Sequence, residues 1–395
     1  MDVIANYYVE SEWQIEKAAR SIAAEQSTGT WTSVSTSQKG SGLDARVIKA
    51  EGNFCEIAFP EELFEPLNFP QYLSVIAGNL FGLGAIENVR LLDVEFPGKL
   101  VKMHKGPRFG IEDARKILGV HDRPLVGTII KPKVGLSPKR TAEVAFDAAM
   151  GGLDLIKDDE TLANQKFCPI EERIELVMEK LYRVEEATGK KVFYAVNVTT
   201  GARDIVERAE KVAELGANMV MVDVLTAGFD ALAALAQEIK LPIHVHRTMH
   251  GAITRNRKHG IAMLPLARLV RMAGGTNLHT GSYKGKMDRA KEENDACRDA
   301  LRQDWHGLKK VFPVASGGIF PANVAENLEG YGKDCIVQAG GGVHGHPGGS
   351  TDGAAAMVQA VEAWVEGMSI DDYANEHREL KEAIEYWGRN PQIEY

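Results

Sequence analysis

From Leu125 onward, short apolar β-rich runs alternate with amphipathic helical segments, and this alternation constrains the fold more than any other feature. Near-continuous apolar strands are typical of a parallel sheet that is buried on both faces. Eight strand–helix units over about 270 residues predict an α/β fold of the (β/α)8, or TIM, barrel type. A doubly wound open sheet is the alternative, although it usually has only five or six strands. The predicted strands lie at 125–133, 153–160, 192–199, 219–226, 243–246, 277–280, 312–316 and 336–340.

The segment before the barrel has a different pattern. Residues 4–9 alternate like a strand, residues 13–25 have helical periodicity, and residues 45–60 contain two more strand-like runs. This mixture predicts a small α+β domain of the ferredoxin-like type. We therefore expect an N-terminal domain at 1–107 and a catalytic barrel with a C-terminal helix at 108–395.

Composition excludes several classes of function. The 395-residue chain has a formal net charge of -9, which argues against a general nucleic-acid or membrane-surface binder but permits small phosphorylated substrates. The four cysteines show no regular spacing, so neither a disulfide framework nor a zinc site is indicated. The N-terminus does not resemble a targeting signal, and no run of 18 apolar residues occurs. We expect an untargeted cytoplasmic protein that contacts neither nucleic acid nor membrane.

The second predicted strand ends in a charged cluster, Lys157-Asp158-Asp159-Glu160. In a strand, Lys157 and Asp159 point to the same face, and Glu160 lies at the carboxyl end. Two carboxylates beside an amine suit a hard cation with oxygen ligands, most simply Mg²⁺. The alternative is a solvated strand end whose charges neutralise one another. In a TIM barrel the active site lies at the carboxyl ends of the strands, so the other strand ends decide between these interpretations.

Most of the other strand ends also carry ionisable or glycine-rich sequence. Singly, each has an ordinary explanation as a solvated lysine, a hydrogen-bonded histidine or a tight turn. Six or more such ends on one barrel favour an active site. In strand order, they are Lys131 and Lys133, then Asn197, Asp223, His244 with His246, Arg247 and His250, His279, Ser316-Gly317-Gly318, and Gly340-Gly341-Gly342 followed by His344 and His346.

The glycines and the cationic groups predict two anion sites. Backbone N–H groups after strands seven and eight of a TIM barrel commonly hold a phosphate, which makes Gly317-Gly318 and Gly340-Gly341-Gly342 candidates. Arg247 and His279 are candidates for a second anion site. Two anion sites around a metal suggest a bisphosphate, and glycine turns without a ligand are the alternative.

These parts imply a reaction. A divalent cation on adjacent oxygens of a ketose acidifies the neighbouring C–H, and a desolvated lysine can move the proton to give an enediolate. A further cationic group would stabilise a carboxylate or oxyanion formed next. Lys286, in a glycine-flanked loop, is the candidate, and a solvated loop lysine is the alternative.

Four stretches closely resemble the signature sequences of the ribulose-1,5-bisphosphate carboxylase/oxygenase (RuBisCO) large chain. The resemblance is to the archaeal and bacterial forms without small subunits, and it runs in order from about Ala23 to the C-terminal helix. Two N-terminal stretches, 25–32 and 77–82, resemble the segments that this family contributes to a partner's active site. The four signature-like stretches are 127–135, 152–160, 244–250 and 316–318.

The resemblance implies a role for each residue. Lys157, carbamylated by CO₂, would ligate Mg²⁺ with Asp159 and Glu160. Lys131 would transfer protons beside Lys133, His246 would handle a proton near the substrate hydroxyls, and Lys286 would stabilise the new carboxylate. Glu25 and Asn79 would reach in from a second subunit, which requires a homodimer and leaves higher assembly open. One phosphate would be bordered by Arg247, His279 and Ser316, and the other by Thr30, Trp31, Gly317, Gly318, Gly340 and Gly341.

The chain also departs from the family pattern. The loop sequences Ser282-Tyr283-Lys284 and Lys286-Met287-Asp288-Arg289 are unusual, and Thr161 follows Glu160 where asparagine is common. RuBisCO-like proteins, which enolise or isomerise other sugar phosphates such as methylthio-sugar phosphates without fixing CO₂, are therefore the alternative. Intact catalytic positions and phosphate sites favour the carboxylase. A non-catalytic scaffold predicts eroded strand ends, which this sequence does not have.

Overall fold

The computed structural model describes residues 1–29, 35–36, 42–286 and 290–388. The chain forms an N-terminal sheet with helices, followed by a closed barrel. The N-terminal elements are β1 (Asp2–Ser11), α1 (Ile15–Glu25), β2 (Arg46–Glu51), β3 (Phe54–Pro60), α2 (Phe69–Ala77), β4 (Ile86–Glu95), α3 (Gly98–Val101) and α4 (Ile111–Leu118).

The remaining elements follow the predicted alternation. They are β5 (Leu125–Ile129), α5 (Pro138–Met150), β6 (Leu155–Lys157), α6 (Ile170–Thr188), β7 (Phe193–Asn197), α7 (Ile205–Glu214), β8 (Met219–Asp223), α8 (Val224–Ala227), α9 (Phe229–Glu238), β9 (Ile243–His246), α10 (His250–Thr254), β10 (Gly260–Ile261), α11 (Met263–Ala273), β11 (Asn277–Gly281), α12 (Lys291–Arg302), β12 (Phe312–Ser316), α13 (Val324–Tyr331), β13 (Ile336–Ala339), α14 (Gly341–His344), α15 (Ser350–Val365), α16 (Ile370–Ala374) and α17 (Arg378–Trp387). Three 3-10 turns lie at Glu61–Leu63, Asn79–Gly82 and Pro321–Asn323.

The N-terminal sheet has the strand order β10-β4-β1-β3-β2, in which the short β10 from the barrel segment pairs in parallel with β4. Side chains of β1 alternate in burial, with Val3, Ala5, Tyr7 and Val9 buried. This period of two is what a sheet with one covered face requires. The mixed α+β character predicted for this segment is confirmed.

Eight parallel strands close the barrel in the order β5-β6-β7-β8-β9-β11-β12-β13, and β13 pairs with β5. The (β/α)8 prediction is therefore confirmed over the open sheet. Ile129 lies opposite Lys157, and Asp223 lies opposite His246, so neighbouring strands end at the same rim. The strand predicted at 153–160 is shorter than expected because it ends at Lys157, and Asp158 to Glu160 follow outside it.

Polar and aromatic contacts join the N-terminal part to the barrel. Arg268 donates two hydrogen bonds to the Asp93 carboxylate, at 2.8 and 2.9 Å. The backbone N–H of Phe69 donates to Asp230 at 3.3 Å, and the Phe69 ring packs on Phe229. Among the described helices, none is both long and apolar enough to cross a membrane.

Candidate active site

A cavity of about 560 Å³ opens at the carboxyl ends of the barrel strands. It brings together twelve of the residues predicted for the site, from six of the eight strand ends. The predicted residues that line it are Lys131, Lys133, Glu160, His246, Arg247, His279, Lys286, Ser316, Gly317, Gly318, Gly340 and Gly341.

Lys157, the last residue of β6, lies behind this lining with no exposed surface. Its amine donates a hydrogen bond to the Asp158 carbonyl at 2.7 Å and lies 3.6 Å from Oε2 of Glu160. Burial lowers the pKa of the Lys157 amine, while the charges of Glu160 and Asp159 oppose that shift. Desolvation therefore favours the neutral amine, which is the nucleophilic form.

Lys131 and Lys133, which follow β5, contact the carboxylates of Asp159 and Glu160. Lys131 donates to Oδ2 of Asp159 at 2.8 Å, and the Lys133 amine lies 3.6 Å from Oε1 of Glu160. Burial acts to raise the pKa of Glu160, but the charges of Lys157 and His246 outweigh it and lower that pKa to about 2. The Glu160 carboxylate is thus available as an anionic oxygen ligand.

Asp158 belongs to a different environment from its neighbours. Its carboxylate accepts hydrogen bonds from Arg173 at 3.1 Å, from the Tyr194 hydroxyl at 2.6 Å and from the Asn197 backbone at 3.0 Å. Both Asp158 and Arg173 have no exposed surface. Asp158 therefore anchors the end of β6 to its neighbours, whereas Glu160 lines the cavity and both Lys157 and Asp159 contact residues that line it.

Histidines from β9 and β11 form the other wall. His246 places Nδ1 2.6 Å from Oδ1 of Asp223, and its Nε2 lies 3.9 Å from Glu160. His279 places Nδ1 2.7 Å from the Ser316 hydroxyl and Nε2 2.8 Å from Nε2 of His244. Burial lowers the pKa of both His244 and His279 well below the ordinary value. The Asp223 contact fixes the ring orientation of His246.

The glycine turns bring backbone close to the cavity. Gly317 and Gly318 have φ values of 101° and 80°, a region that side chains rarely adopt. A Cβ on Gly318 would lie 2.5 Å from the backbone nitrogen of Lys286, and one on Gly340 would lie 3.0 Å from the side chain of Lys131. Gly317 and Gly318 therefore require glycine for their conformation, and Gly318 also for space, whereas at Gly340, with φ of -99°, only space is limited.

Two further predicted residues, in addition to Lys157 and Asp159, do not line this cavity in their own chain. Glu25 ends α1 and Asn79 begins a 3-10 turn, and neither lines the cavity. The residues beside them meet, because Gln26 donates to the Val75 carbonyl and lies against Gly78. Glu25 and Asn79 therefore belong to one region of the N-terminal part. Thr30 and Trp31 lie outside the described residues.

Gln338, which the sequence reasoning missed, also lines the cavity. Its side-chain nitrogen donates to the Thr128 carbonyl at 3.3 Å, and its buried side-chain oxygen has no hydrogen-bond partner among the described residues. An unpaired buried acceptor on a residue that lines a cavity is a candidate contact for a ligand hydroxyl. The signal in the sequence that could have indicated Gln338 is its amide side chain within the otherwise apolar strand Ile336–Ala339.

Within the described residues, one group of three histidine or carboxylate side chains has ligand atoms within 4.8 Å of one another: His346, Asp352 and Glu382. His346 uses Nε2 on the Glu379 carbonyl and Nδ1 as acceptor for the Gly348 N–H. Its nitrogens are therefore occupied, and this group lies apart from the cavity lining.

Comparison with known proteins identifies the family. The model of the ribulose bisphosphate carboxylase large chain, catalytic domain, matches residues 110–387, and that of the N-terminal domain matches residues 1–100. The chain belongs to the RuBisCO large-chain family. The predicted family is thereby confirmed.

Archaeal relatives match almost the whole chain. It is 42% identical to the ribulose bisphosphate carboxylase of Methanocaldococcus jannaschii, over 98% of this chain and 97% of that protein. It is also 42% identical to the ribulose bisphosphate carboxylase of Methanosarcina mazei, over 98% of this chain and 96% of that protein. These names favour the carboxylase over the RuBisCO-like alternative.

Solved RuBisCO structures share the fold. The octameric RuBisCO of Pyrococcus horikoshii, solved with sulfate ion, matches with a TM-score of 0.93 and 41% identity, over 98% of this chain and 93% of that one. The dimeric archaeal RuBisCO of Hyperthermus butylicus matches with a TM-score of 0.90 and 41% identity, over 98% and 96%. RuBisCO relatives of this chain are thus known both as dimers and as octamers.

Proposed function

We propose that this protein is a ribulose-1,5-bisphosphate carboxylase that enolises its substrate and then adds CO₂ to the enediolate. The observation that carries the proposal is the convergence, around one cavity, of a lysine–carboxylate cluster, the histidine His246 and two glycine turns. Family membership over nearly the whole chain supports the same reaction.

The donor set fits Mg²⁺ once Lys157 has reacted. Asp159 and Glu160 supply two carboxylates, while a protonated amine at Lys157 would repel a cation. As a neutral nucleophile, the Lys157 nitrogen forms a bond to the carbon of CO₂ and releases a proton, which leaves an anionic carbamate. Lys157, Asp159 and Glu160 would then hold the metal together. When bound, Mg²⁺ would acidify the substrate C–H next to the ketose carbonyl.

Lys131 and His246 are the proposed proton-transfer groups. Lys131 reaches the cavity from the β5 end beside Lys133, and its contact with Asp159 keeps it next to the proposed metal ligands. Asp223 orients the His246 ring, so that Nε2 faces Glu160. These positions suit removal of the substrate proton by Lys131 and proton transfer at a substrate hydroxyl by His246.

Two groups of residues would hold the phosphates. Arg247, His279 and Ser316 offer a guanidinium, an imidazole and a hydroxyl, and the Ser316 contact orients His279. The second group offers backbone N–H groups, which bind phosphate oxygens without a side chain. We assign to it Gly317, Gly318, Gly340 and Gly341, joined by Thr30 and Trp31.

Lys286 would stabilise the carboxylate formed on CO₂ addition, because it brings a positive charge to the cavity lining. Glu25 and Asn79 would come from a second copy, since they do not line the cavity of their own chain. The working unit would then be a homodimer, which the dimeric and octameric relatives support.

Two further proposals concern the whole chain. We propose a division into an N-terminal domain at 1–107 and a catalytic domain at 108–395. A cytoplasmic location is supported by the four cysteines, all of which are buried and free.

The function is tested with ribulose 1,5-bisphosphate, Mg²⁺ and labelled bicarbonate. We expect acid-stable label in a three-carbon acid. Turnover of a thio-sugar monophosphate without incorporation of label would overturn the carboxylase assignment.

Carbamylation is tested with Lys157→Ala, which should abolish Mg²⁺-dependent activity while the protein stays folded by circular dichroism. Lys190, whose amine lies 3.0 Å from the buried Asp154 away from the cavity lining, provides a matched control. Lys190→Ala should retain activity. Undiminished turnover by Lys157→Ala would remove the carbamate assignment.

A further inference from the structure

Two buried asparagines hold the backbone segment that carries Lys286. The N–H groups of Tyr283 and Lys284 donate to Oδ1 of Asn327 at 2.8 and 3.3 Å. Nδ2 of Asn327 donates to the Lys284 carbonyl at 2.9 Å. The Asn327 side chain, on α13, therefore fixes the peptide groups of Tyr283 and Lys284, which lie three and two residues before Lys286.

Asn327 has no exposed surface, and its fourth hydrogen bond runs from Nδ2 to the Asn323 carbonyl at 2.8 Å. Both lone-pair directions of Oδ1 and both hydrogens of Nδ2 are thus in use. A fully satisfied buried amide specifies one arrangement of its partners, because any displacement leaves buried polar groups unpaired.

Asn323 connects the same segment to the proposed phosphate site. Its Nδ2 donates to the Gly318 carbonyl at 2.9 Å and, over a longer 3.4 Å, to the Lys284 carbonyl. Its Oδ1 accepts from the Phe320 N–H at 3.0 Å, which fixes the amide orientation. Asn323 therefore bridges the glycine turn after β12 and the segment after β11.

The two segments also touch directly. The Lys286 N–H donates to the Gly317 carbonyl at 3.1 Å. A Cβ on Gly285 would lie 2.3 Å from that carbonyl oxygen, and one on Gly318 would lie 2.5 Å from the Lys286 nitrogen. The Lys286 backbone and the glycine turn are therefore packed too closely to move independently.

The unusual Tyr283 anchors the outer side of this segment. Its hydroxyl donates to Asp295 at 2.6 Å, and its ring packs edge-on against Tyr331 with 4.8 Å between ring centroids. A Cβ on Gly330 would lie 2.3 Å from the Tyr283 ring. Tyr283 thus packs on α13, the helix that also carries Asn327.

We propose that Asn327 and Asn323 are positioning residues that set Lys286 over the cavity and couple its placement to the Gly317-Gly318 turn. Asn327 fixes the backbone before Lys286. Asn323 contacts both segments, so it transmits the effect of phosphate bound at the Gly317-Gly318 turn to the same peptide groups. The role of the coupling rests on the proposed function, in which Lys286 acts after enolisation. The asparagine tether, by which we mean the hydrogen bonds of Asn327 and Asn323 with Tyr283, Lys284 and Gly318, depends only on the contacts described above.

The first test needs no activity. Hydrogen–deuterium exchange of residues 282–286 is measured by mass spectrometry in the full-length assembled protein. In Asn327→Ala, exchange of this segment should be about tenfold faster or more, the effect expected when one buried hydrogen-bond partner is lost. Inorganic phosphate should slow exchange of the segment in the unmodified protein, and Asn323→Ala should abolish that slowing.

A matched control distinguishes the tether from general loss of stability. Asn218 also bonds two backbone groups, accepting from the Tyr194 N–H at 2.8 Å and donating to the Val192 carbonyl at 2.8 Å, but it does not line the cavity. Asn218→Ala should leave exchange of 282–286 unchanged. If Asn327→Ala does not fold, Asn327→Asp keeps the acceptor and removes the donor, and it should give a smaller increase.

The second test separates two stages of the reaction. Asn327→Ala should reduce carboxylation at least tenfold more than it reduces exchange of the substrate proton with solvent, because Lys286 acts only after enolisation. Unchanged amide exchange in 282–286, or equal loss of the two reactions, would overturn the proposal. If the unmodified protein fails to carboxylate, the proposed function fails, and amide exchange alone still decides the tether.

Discussion

Nζ of Lys131 lies 2.8 Å from Oδ2 of Asp159, so the proposed proton-transfer lysine is paired with a proposed metal ligand. Asp159 is almost fully buried, whereas Lys131 is partly exposed towards the cavity. A cation bound to Asp159 would neutralise the carboxylate charge, which the Lys131 amine neutralises in its absence. Metal binding would thereby release the Lys131 amine for work on the substrate.

Lys131→Met should separate metal binding from enolisation. Mn²⁺ binding, followed by electron paramagnetic resonance as a probe for the metal site, should be retained, because the three proposed ligands remain. Exchange of the substrate proton should fall by about 10²–10⁴-fold, the range for loss of a general base. Lys139→Met, which changes an exposed lysine on α5, is the control. Proton exchange within tenfold of the unmodified protein would contradict the role of Lys131.

Asp223→Asn should weaken catalysis through His246. The 2.6 Å contact between Asp223 and Nδ1 fixes the imidazole, and an amide can present its N–H to that nitrogen and favour the other tautomer. We expect kcat to fall by about 10–100-fold, as for other partners that orient a functional histidine. The steady-state rate of carboxylation checks this. Asp230→Asn, which changes a carboxylate that accepts from Phe69, should leave kcat unchanged.

The sequence predicted the barrel and most of the cavity lining because strand ends of a closed barrel meet at one rim. It set Asp158 apart from the proposed ligands Asp159 and Glu160, but it could not indicate which residues Asp158 contacts. The structure ends that strand at Lys157 and pairs Asp158 with Arg173 on α6, 15 residues further along. Such a contact depends on helix packing, for which local periodicity carries no signal.

The asparagine tether illustrates the same limit. Asn327 and Tyr283 are 44 residues apart, and nothing in either local pattern indicates that they meet. The unusual sequence around Tyr283 was visible as a departure from the family, but its contacts with α13 were not. The division of the chain at residue 107 stays a prediction.

His104 should make stability depend on pH in the acid range. It is buried beside the Tyr72 hydroxyl, 3.1 Å away, and burial lowers the His104 pKa to about 4. Between that pKa and the ordinary value of about 6.5 the unfolded chain binds more protons, so the free energy of unfolding falls as pH falls. The urea midpoint should therefore drop between pH 7 and pH 5.

His104→Gln should make that drop smaller, because glutamine cannot take up the proton. Urea unfolding at both pH values and at one protein concentration measures the difference. His121, which is exposed, provides the control substitution His121→Gln. An equal drop in the midpoint for His104→Gln and the unmodified protein would show that His104 does not contribute.

The buried pair of Arg173 and Asp158 should dominate the stability of the β6 end. Arg173→Leu leaves the Asp158 charge buried without its partner, and it also removes the hydrogen bonds from Arg173 to the carbonyls of Cys168 and Ala163. We expect a loss of about 3–5 kcal/mol, the range for a broken buried ion pair. Tyr194→Phe removes one hydrogen bond to the same carboxylate and should cost about 1.5–3 kcal/mol.

The double variant Asp158→Asn/Arg173→Leu distinguishes the charge from the packing. Removing both charges eliminates the unpaired carboxylate, so the double variant should be more stable than Arg173→Leu alone. The comparison is urea unfolding of the unmodified protein, Arg173→Leu, Tyr194→Phe and the double variant. All four are measured at one protein concentration, because assembly contributes to stability. If the double variant is less stable than Arg173→Leu, the loss arises from packing and carbonyl contacts, and the charge of Asp158 is not its cause.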